Sequence, residues 1–123
     1  MGKAELVVEG YLRTQCKKYN ILCYKFVSPG CNGVPDELII AQGKTIYIET
    51  KSDKGTTSHT QNQRIKEMRE HGADVRICHT RKAIDEMLHE LIPNYQSSIP
   101  KSKSDTITPI QTKQVTITQS IRT

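Results

Sequence analysis

The stretch GVPDELIIAQGKTIYIETK, residues 33–51, reads as two short apolar arms joined at Gln42-Gly43, a plausible tight turn between strands. Charged residues stand where apolar ones are expected: Asp36 at the head of the first arm, Glu49 and Lys51 at the end of the second. With the turn centred between Gln42 and Gly43, the antiparallel register sets Asp36 opposite Glu49. Residues two apart share a strand face and opposed Cβ atoms lie about 5 Å apart, so Lys51 projects to the same side as Glu49. A shift of one residue in the turn keeps Asp36 beside the 49–51 segment but changes its facing.

Two carboxylates in such proximity repel, and removing them from water adds to the cost, which gives a purely structural hairpin little reason to hold them. A divalent cation reverses the sign of that argument. Oxygen ligands from Asp36 and Glu49, joined by the Thr50 backbone carbonyl, suit Mg²⁺, an ion that takes few protein ligands and keeps several waters. One retained water is the candidate nucleophile, and Lys51 is placed to orient or deprotonate it or to neutralise transition-state charge. The competing reading is a solvated strand face, since Glu-x-Lys arises readily by chance.

Outward from the hairpin, Leu6 or Val8, Leu12, Cys16 and Tyr19 recur at helical spacing and predict an amphipathic helix over 4–19. ILCYKFV, residues 21–27, predicts a strand, and SPGCNGVP a turn-rich loop. Ser58 followed by Gln61 is a capping-box pattern, Ile65 and Met68 continue an inward stripe, and Gly72 is a natural stop, so a second helix is expected over 58–71. DVRICH, residues 74–79, alternates like a half-buried strand, and Ile84, Met87, Leu88 and Leu91 mark a third helix. The predicted order is α-β-β-β-α-β-α, an α/β fold with a mixed sheet flanked by helices.

The length of 123 residues suits one domain. Composition shifts at Pro93 to Ser, Thr, Gln and Lys, so a domain is expected over 1–92 and a basic, polar, flexible C-terminal tail over 93–123. Lys101, Lys103, Lys113 and Arg122 against Asp105 put +3 of the net charge of +5 in that tail. The tail either adds non-specific phosphate affinity or is idle, and QVTIT within it could pair as an edge strand. The pI near 9.1 favours an anionic partner without choosing between nucleic acid and an acidic membrane.

No run approaches the ~18 apolar residues of a membrane span, and the N-terminus lacks the layout of a secretory signal, so a soluble, intracellular protein is expected. Cys16, Cys23, Cys31 and Cys78 form no C-x-x-C pair and do not fall into zinc spacing with the four histidines; reduced, partly buried thiols are expected.

Together, Pro35-Asp36 and Glu49-Thr50-Lys51 resemble the PD-(D/E)XK nuclease signature. VEGYL in the first helix, then CYKFVSPGCNGVPD, IYIETK and TSHTQNQRIKEMREHGADV, resemble in order and spacing the VRR-NUC branch of that superfamily, over roughly residues 5–92. The resemblance implies a restriction-endonuclease-like core in which Asp36 and Glu49 bind metal and Lys51 is the catalytic lysine. It also implies that Glu9, one residue before Tyr11-Leu12, is the first-helix acid that helps hold a metal or its water, and that Gln61 is a helix-borne polar residue near the site. Glu9 could equally be a solvated first-turn acid and Gln61 simply the partner of Ser58; the sequence leaves both alternatives open.

Lys25 could contact a phosphate or snorkel from a sheet edge. Ser28 and Gly30 could let the backbone approach DNA. Family members often carry basic residues where this chain has Cys31-Asn32, and an apolar residue at Thr50. The first departure leaves Lys17, Lys18, Lys25, Lys54 and Arg64 as the expected phosphate contacts. The resemblance implies an Mg²⁺- or Mn²⁺-dependent endonuclease acting on DNA, as a homodimer matched to a two-fold branched substrate such as a Holliday junction, in the cytoplasm of a bacterium or phage-infected cell. The alternatives are a flap, nick or duplex-specific nuclease and a catalytically silent DNA-binding module.

Overall fold

A computed structural model describes residues 3–100. Helix α1 spans Lys3–Lys18, strand β1 Leu22–Lys25, β2 Glu37–Ala41, β3 Lys44–Thr50, helix α2 His59–Glu70, β4 Asp74–Cys78 and α3 Arg81–Leu91. The α/β order follows the expectation element for element. The four strands form one mixed sheet in the order β1-β2-β3-β4; β1–β2 and β2–β3 are antiparallel and β3–β4 parallel. The parallel step needs a crossover, and α2 is that crossover.

The hairpin has the predicted register, with Glu37 opposite Ile48 and Ala41 opposite Lys44. Gln42 and Gly43 both take positive φ, 54° and 76°, the two-residue turn whose twist matches the flanking strands. At the end of α1, Asn20 adopts φ 58° and the Ile21 amide reaches back to the Cys16 carbonyl at 2.8 Å. This left-handed cap ends the helix and turns the chain into β1. β1 is shorter than the predicted 21–27: Ile21 is buried behind the cap, and Val27 leaves the sheet 66% exposed.

The core lies on one sheet face. Val8, Leu12 and Cys16 of α1 and Ile84 and Leu88 of α3 pack against Ile39, Ile46 and Ile48. Val8 rather than Leu6 begins the inward stripe, since Leu6 is half exposed. Helix α2 packs on β4 from the other face, where Ile65 and Val75 are buried. Coverage is therefore complete on the α1–α3 side and partial on the α2 side.

The chain stays packed beyond the boundary expected at Pro93. Tyr95 is 5% exposed, its ring 4.9 Å from that of Tyr19, and its hydroxyl accepts from Gln15 Nε2 at 2.9 Å. Asp85 gathers hydroxyls of Tyr11 (2.6 Å), Ser97 (2.5 Å) and Tyr95, strapping residues 95–97 across α1 and α3. The buried Gln15 needs a polar partner, and Tyr95 supplies one together with its apolar ring. The rest of the expected tail, including QVTIT, lies outside the described residues.

Candidate active site

Asp36 is fixed between two strands: its carbonyl accepts from the Phe26 amide at 2.7 Å, and it extends the β2 register to stand opposite Glu49. Glu49, 1% exposed near the end of β3, accepts from Gln61 Nε2 at 3.1 Å and lies 3.5 Å from Lys51 Nζ through the same oxygen, Oε2. Its other oxygen, Oε1, is buried with no hydrogen-bond partner. Gln61 does both things open in the sequence: its Oε1 accepts from the Ser58 amide at 2.9 Å and its own amide donates to Ser58 Oγ, completing the capping box, while its Nε2 reaches the carboxylate.

Burial, reinforced by the charge of Asp36, pushes Glu49 up to about 7; burial also raises Asp36 above the usual carboxylate range. Both shifts report negative charge held where water does not compensate it. An orphaned buried carboxylate oxygen facing an excess of negative charge fits a hard divalent cation, so Asp36 and Glu49 are suited to hold one. Thr50, expected to offer its main-chain carbonyl, is fully buried, its hydroxyl among the unpartnered buried atoms.

Glu9 lies beside Asp36 within an ionic cluster. Its Oε2 lies 3.2 Å from Lys25 Nζ and 3.3 Å from Arg13 Nη2. Arg13 also binds the fully buried Glu37 at 2.9 Å. The hydrogen bond from Glu37 holds Glu9 below the usual carboxylate range, whereas burial, followed by the hydrogen bond with Glu9, pushes Glu37 up to about 8. Among the described residues no group of three or more His, Cys, Asp or Glu side chains is placed to hold a metal. Glu9, the implied third acid, sits in an ionic cluster with Arg13, Lys25 and Glu37, close enough to Asp36 for its charge to help raise that carboxyl. Arg13 and Glu37 were missed in the sequence, although Glu37 shares the inward alternation of Ile39 and Ala41.

The expected phosphate contacts divide in the same way. Lys25 is paired with Glu9, Lys18 donates to Ser98 at 3.2 Å, and Arg64 donates to the Asn32 carbonyl at 2.9 Å and pairs with Glu67 at 3.3 Å. Lys17 and Lys54 are exposed. Ser28 and Gly30 occupy the loop before Asp36, where the Ser28 carbonyl accepts from Cys31. A Cβ at Gly30 would meet open space, whereas at Gly33, with φ 87°, it would lie 2.8 Å from the Thr60 carbonyl. Gly33 is thus the glycine the fold requires: with Arg64 it seats the loop on the first turn of α2, next to Gln61.

His79 was also missed. It follows β4 directly, where the Lys51 amide donates to the Cys78 carbonyl, and its Nδ1 is 2.9 Å from the Ser52 carbonyl. The ring so pins the chain just after Lys51. A lone histidine in a strand gave no signal of this.

A buried and a half-buried carboxylate with a lysine at the strand ends of a four-stranded mixed sheet define an α/β domain built around one polar site. The model of the VRR-NUC domain matches residues 11–82, and the chain belongs to that family. It is 44% identical over 46 residues to a protein described as "Putative nuclease p44" of Acyrthosiphon pisum secondary endosymbiont phage 1, a match covering 37% of this chain and 50% of that protein. The match thus spans about half the length of that curated relative. A solved structure titled "VRR_NUC domain" shares the fold with a TM-score of 0.67 at 22% identity, over 74% of this chain and 100% of that one.

Proposed function

We propose that the protein is an Mg²⁺- or Mn²⁺-dependent endonuclease that hydrolyses DNA phosphodiester bonds. The observation that carries this reading is the convergence of Asp36, Glu49 and Lys51, with Glu49 Oε1 buried and unpartnered. Membership of the VRR-NUC family and the similarity to the phage protein named a nuclease support it.

Asp36 and Glu49 would hold the cation, together with the Thr50 carbonyl. When bound, the cation supplies Lewis acidity toward the scissile phosphate and toward water. The chain's own residues do the rest. Gln61 fixes the Glu49 carboxylate through Oε2 and leaves Oε1 without a partner. Lys51, its side chain 14% exposed and its Nζ 3.5 Å from Glu49, would orient the attacking water or offset developing charge. Glu9 acts from behind by holding Lys25 near Asp36, where that ammonium moderates the site's negative charge. Lys17 and Lys54 remain as phosphate contacts; Lys25, Lys18 and Arg64 would have to exchange present partners to join them.

The finer reading is action on branched DNA by a homodimer, because two sites related by a two-fold axis match a two-fold-symmetric junction. The working location is the cytoplasm of a bacterium or phage-infected cell; no helix among the described residues is long and apolar enough to cross a membrane. The test is cleavage of labelled four-way junction, flap, nicked and plain duplex DNA with Mg²⁺ or Mn²⁺, with EDTA, and with Lys51→Ala. Paired symmetric cuts confined to the junction are expected. Cutting of flaps or all duplexes keeps the nuclease and removes the junction preference, and metal-independent binding without cutting replaces both with a DNA-binding module.

A further inference from the structure

The protein has six aromatic residues, five Tyr and one Phe. Tyr11, Tyr19 and Tyr95 fasten α1 to α3 and the strap that follows it. The other three, Tyr24, Phe26 and Tyr47, all fall on the opposite face of the sheet, the one that carries Asp36 and Glu49. The register sets them in two adjoining rows. Tyr24, Leu38 and Tyr47 stand side by side across β1, β2 and β3. In the next row the Phe26 amide bonds Asp36, which stands opposite Glu49, and the Phe26 ring lies 5.3 Å from that of Tyr47. Rows on one face are about 7 Å apart, so the aromatic row begins within one extended nucleotide of the carboxylates.

This half of the face is open. Helix α2 packs on β4 at the far side of the sheet, while Tyr24 and Leu22 are 54% and 50% exposed. Its rim carries the exposed Lys17, which shares a groove at the β1 edge with Leu22, Tyr24 and Arg13, the last already paired to Glu9 and Glu37. An exposed tyrosine ring backed by two half-buried aromatic rings, beside a lysine and continuous with the carboxylate site, forms the combination that binds single strands, in which bases stack on rings and cations follow the backbone. A purely protein-docking face has no need of the basic rim.

We propose that the Tyr24–Phe26–Tyr47 face is a stacking platform for unpaired bases, which places a single-stranded or splayed nucleotide of DNA beside Asp36 and Glu49. The inference rests on the nuclease reading for its purpose, though not for its measurement. Within the branched-DNA reading, it narrows the substrate to branch points whose nucleotides are splayed out of pairing at the cut.

The experiment is fluorescence anisotropy of the full chain in EDTA, where no cutting intervenes, with a labelled single-stranded oligodeoxynucleotide, the same strand carrying abasic sites, and a duplex. Wild type, Tyr24→Ala and Tyr24→Phe are compared; half-exposed Tyr24 makes folding failure avoidable, and circular dichroism checks it. Tyr24→Ala is expected to weaken single-strand binding about tenfold. Tyr24→Phe should bind like wild type, duplex affinity should stay unchanged, and abasic sites should weaken wild type but not Tyr24→Ala further. Undetectable single-strand binding by wild type, an unaffected Tyr24→Ala, or equal losses on duplex and single strand would overturn the proposal. So would a change of oligomeric state in Tyr24→Ala by light scattering, which would assign the face to a second copy. Absence of cutting in Mn²⁺ would remove the nuclease reading and leave the stacking result standing.

Discussion

Gln61 joins the start of α2 to the carboxylate of Glu49: its Oε1 caps the helix at the Ser58 amide and its Nε2 holds Glu49 Oε2 at 3.1 Å. One side chain thus couples a local stability device to the chemistry, and two substitutions separate the roles. Gln61→Ala removes both, and should cost about 1 kcal/mol, a few degrees in Tm. Gln61→Glu retains the capping box, so its Tm should stay near wild type, but it sets a third carboxylate beside Glu49 and should impair cleavage. Thermal melts and cleavage rates of the two variants check this; a Gln61→Glu protein as active as wild type would remove Gln61 from the site.

The metal-free protein should lose stability as pH rises. The folded-state value of Glu49 is raised from 4.5 to about 7, so its proton is bound more tightly in the folded state. The resulting stability is fully present below about 4.5 and lost as pH climbs through about 7. Glu37, raised to about 8, extends the fall upward. Denaturant melts in EDTA should show declining stability between pH 5 and 8. In Glu49→Gln the decline should be shallower and stability at pH 8 higher than wild type, because a charge that must be buried there is gone.

Lys51→Ala should leave Mn²⁺ and DNA binding intact and lower the cleavage rate by at least about a hundredfold, the scale of losing one group that stabilises transition-state charge. Single-turnover cleavage alongside binding isotherms separates the two effects. A Lys51→Ala protein cutting at the wild-type rate would contradict the role assigned to the lysine.

Gly33→Ala and Gly30→Ala should differ sharply. The first forces a Cβ against the Thr60 carbonyl at a φ of 87°, and should cost about 2 kcal/mol and loosen the loop that carries Asp36. The second meets nothing. Equal melting temperatures for the two variants would show that the loop is not seated on α2.

Tyr95→Ala should destabilise the domain by about 3 kcal/mol, as expected for a buried aromatic, and strand the buried Gln15 amide. Tyr95→Phe, which keeps the ring, should cost less. Chemical denaturation measures both, and an unaffected Tyr95→Ala would place the end of the packed unit back at Pro93.

Much of this architecture was legible because local signals agreed. The Gln42-Gly43 turn set the register, and the register put Asp36 opposite Glu49; the capping box and Gly72 bounded α2. Tyr95 was hidden because an aromatic residue in a polar stretch carries no periodicity, and its burial depends on a gap between α1 and α3 that only tertiary packing creates. Glu37 and Arg13 were hidden for a related reason: a buried carboxylate reads as a surface residue until the cation that neutralises it, 24 positions away in sequence, is brought beside it. Glu9 was found, and its pairing with Arg13 is the i,i+4 spacing of one helix, but its contact with Lys25 follows from how α1 packs on β1, which that spacing does not encode.

The central claim is that Asp36 and Glu49 are held together, against their mutual repulsion, to bind a divalent cation. Titration of the full chain with Mn²⁺, followed by electron paramagnetic resonance of the free ion, tests it most directly. The account predicts a bound ion in wild type and in Lys51→Ala, with binding lost in Asp36→Asn and in Glu49→Gln while both variants remain folded. Mn²⁺ binding by those two variants at wild-type affinity would contradict it.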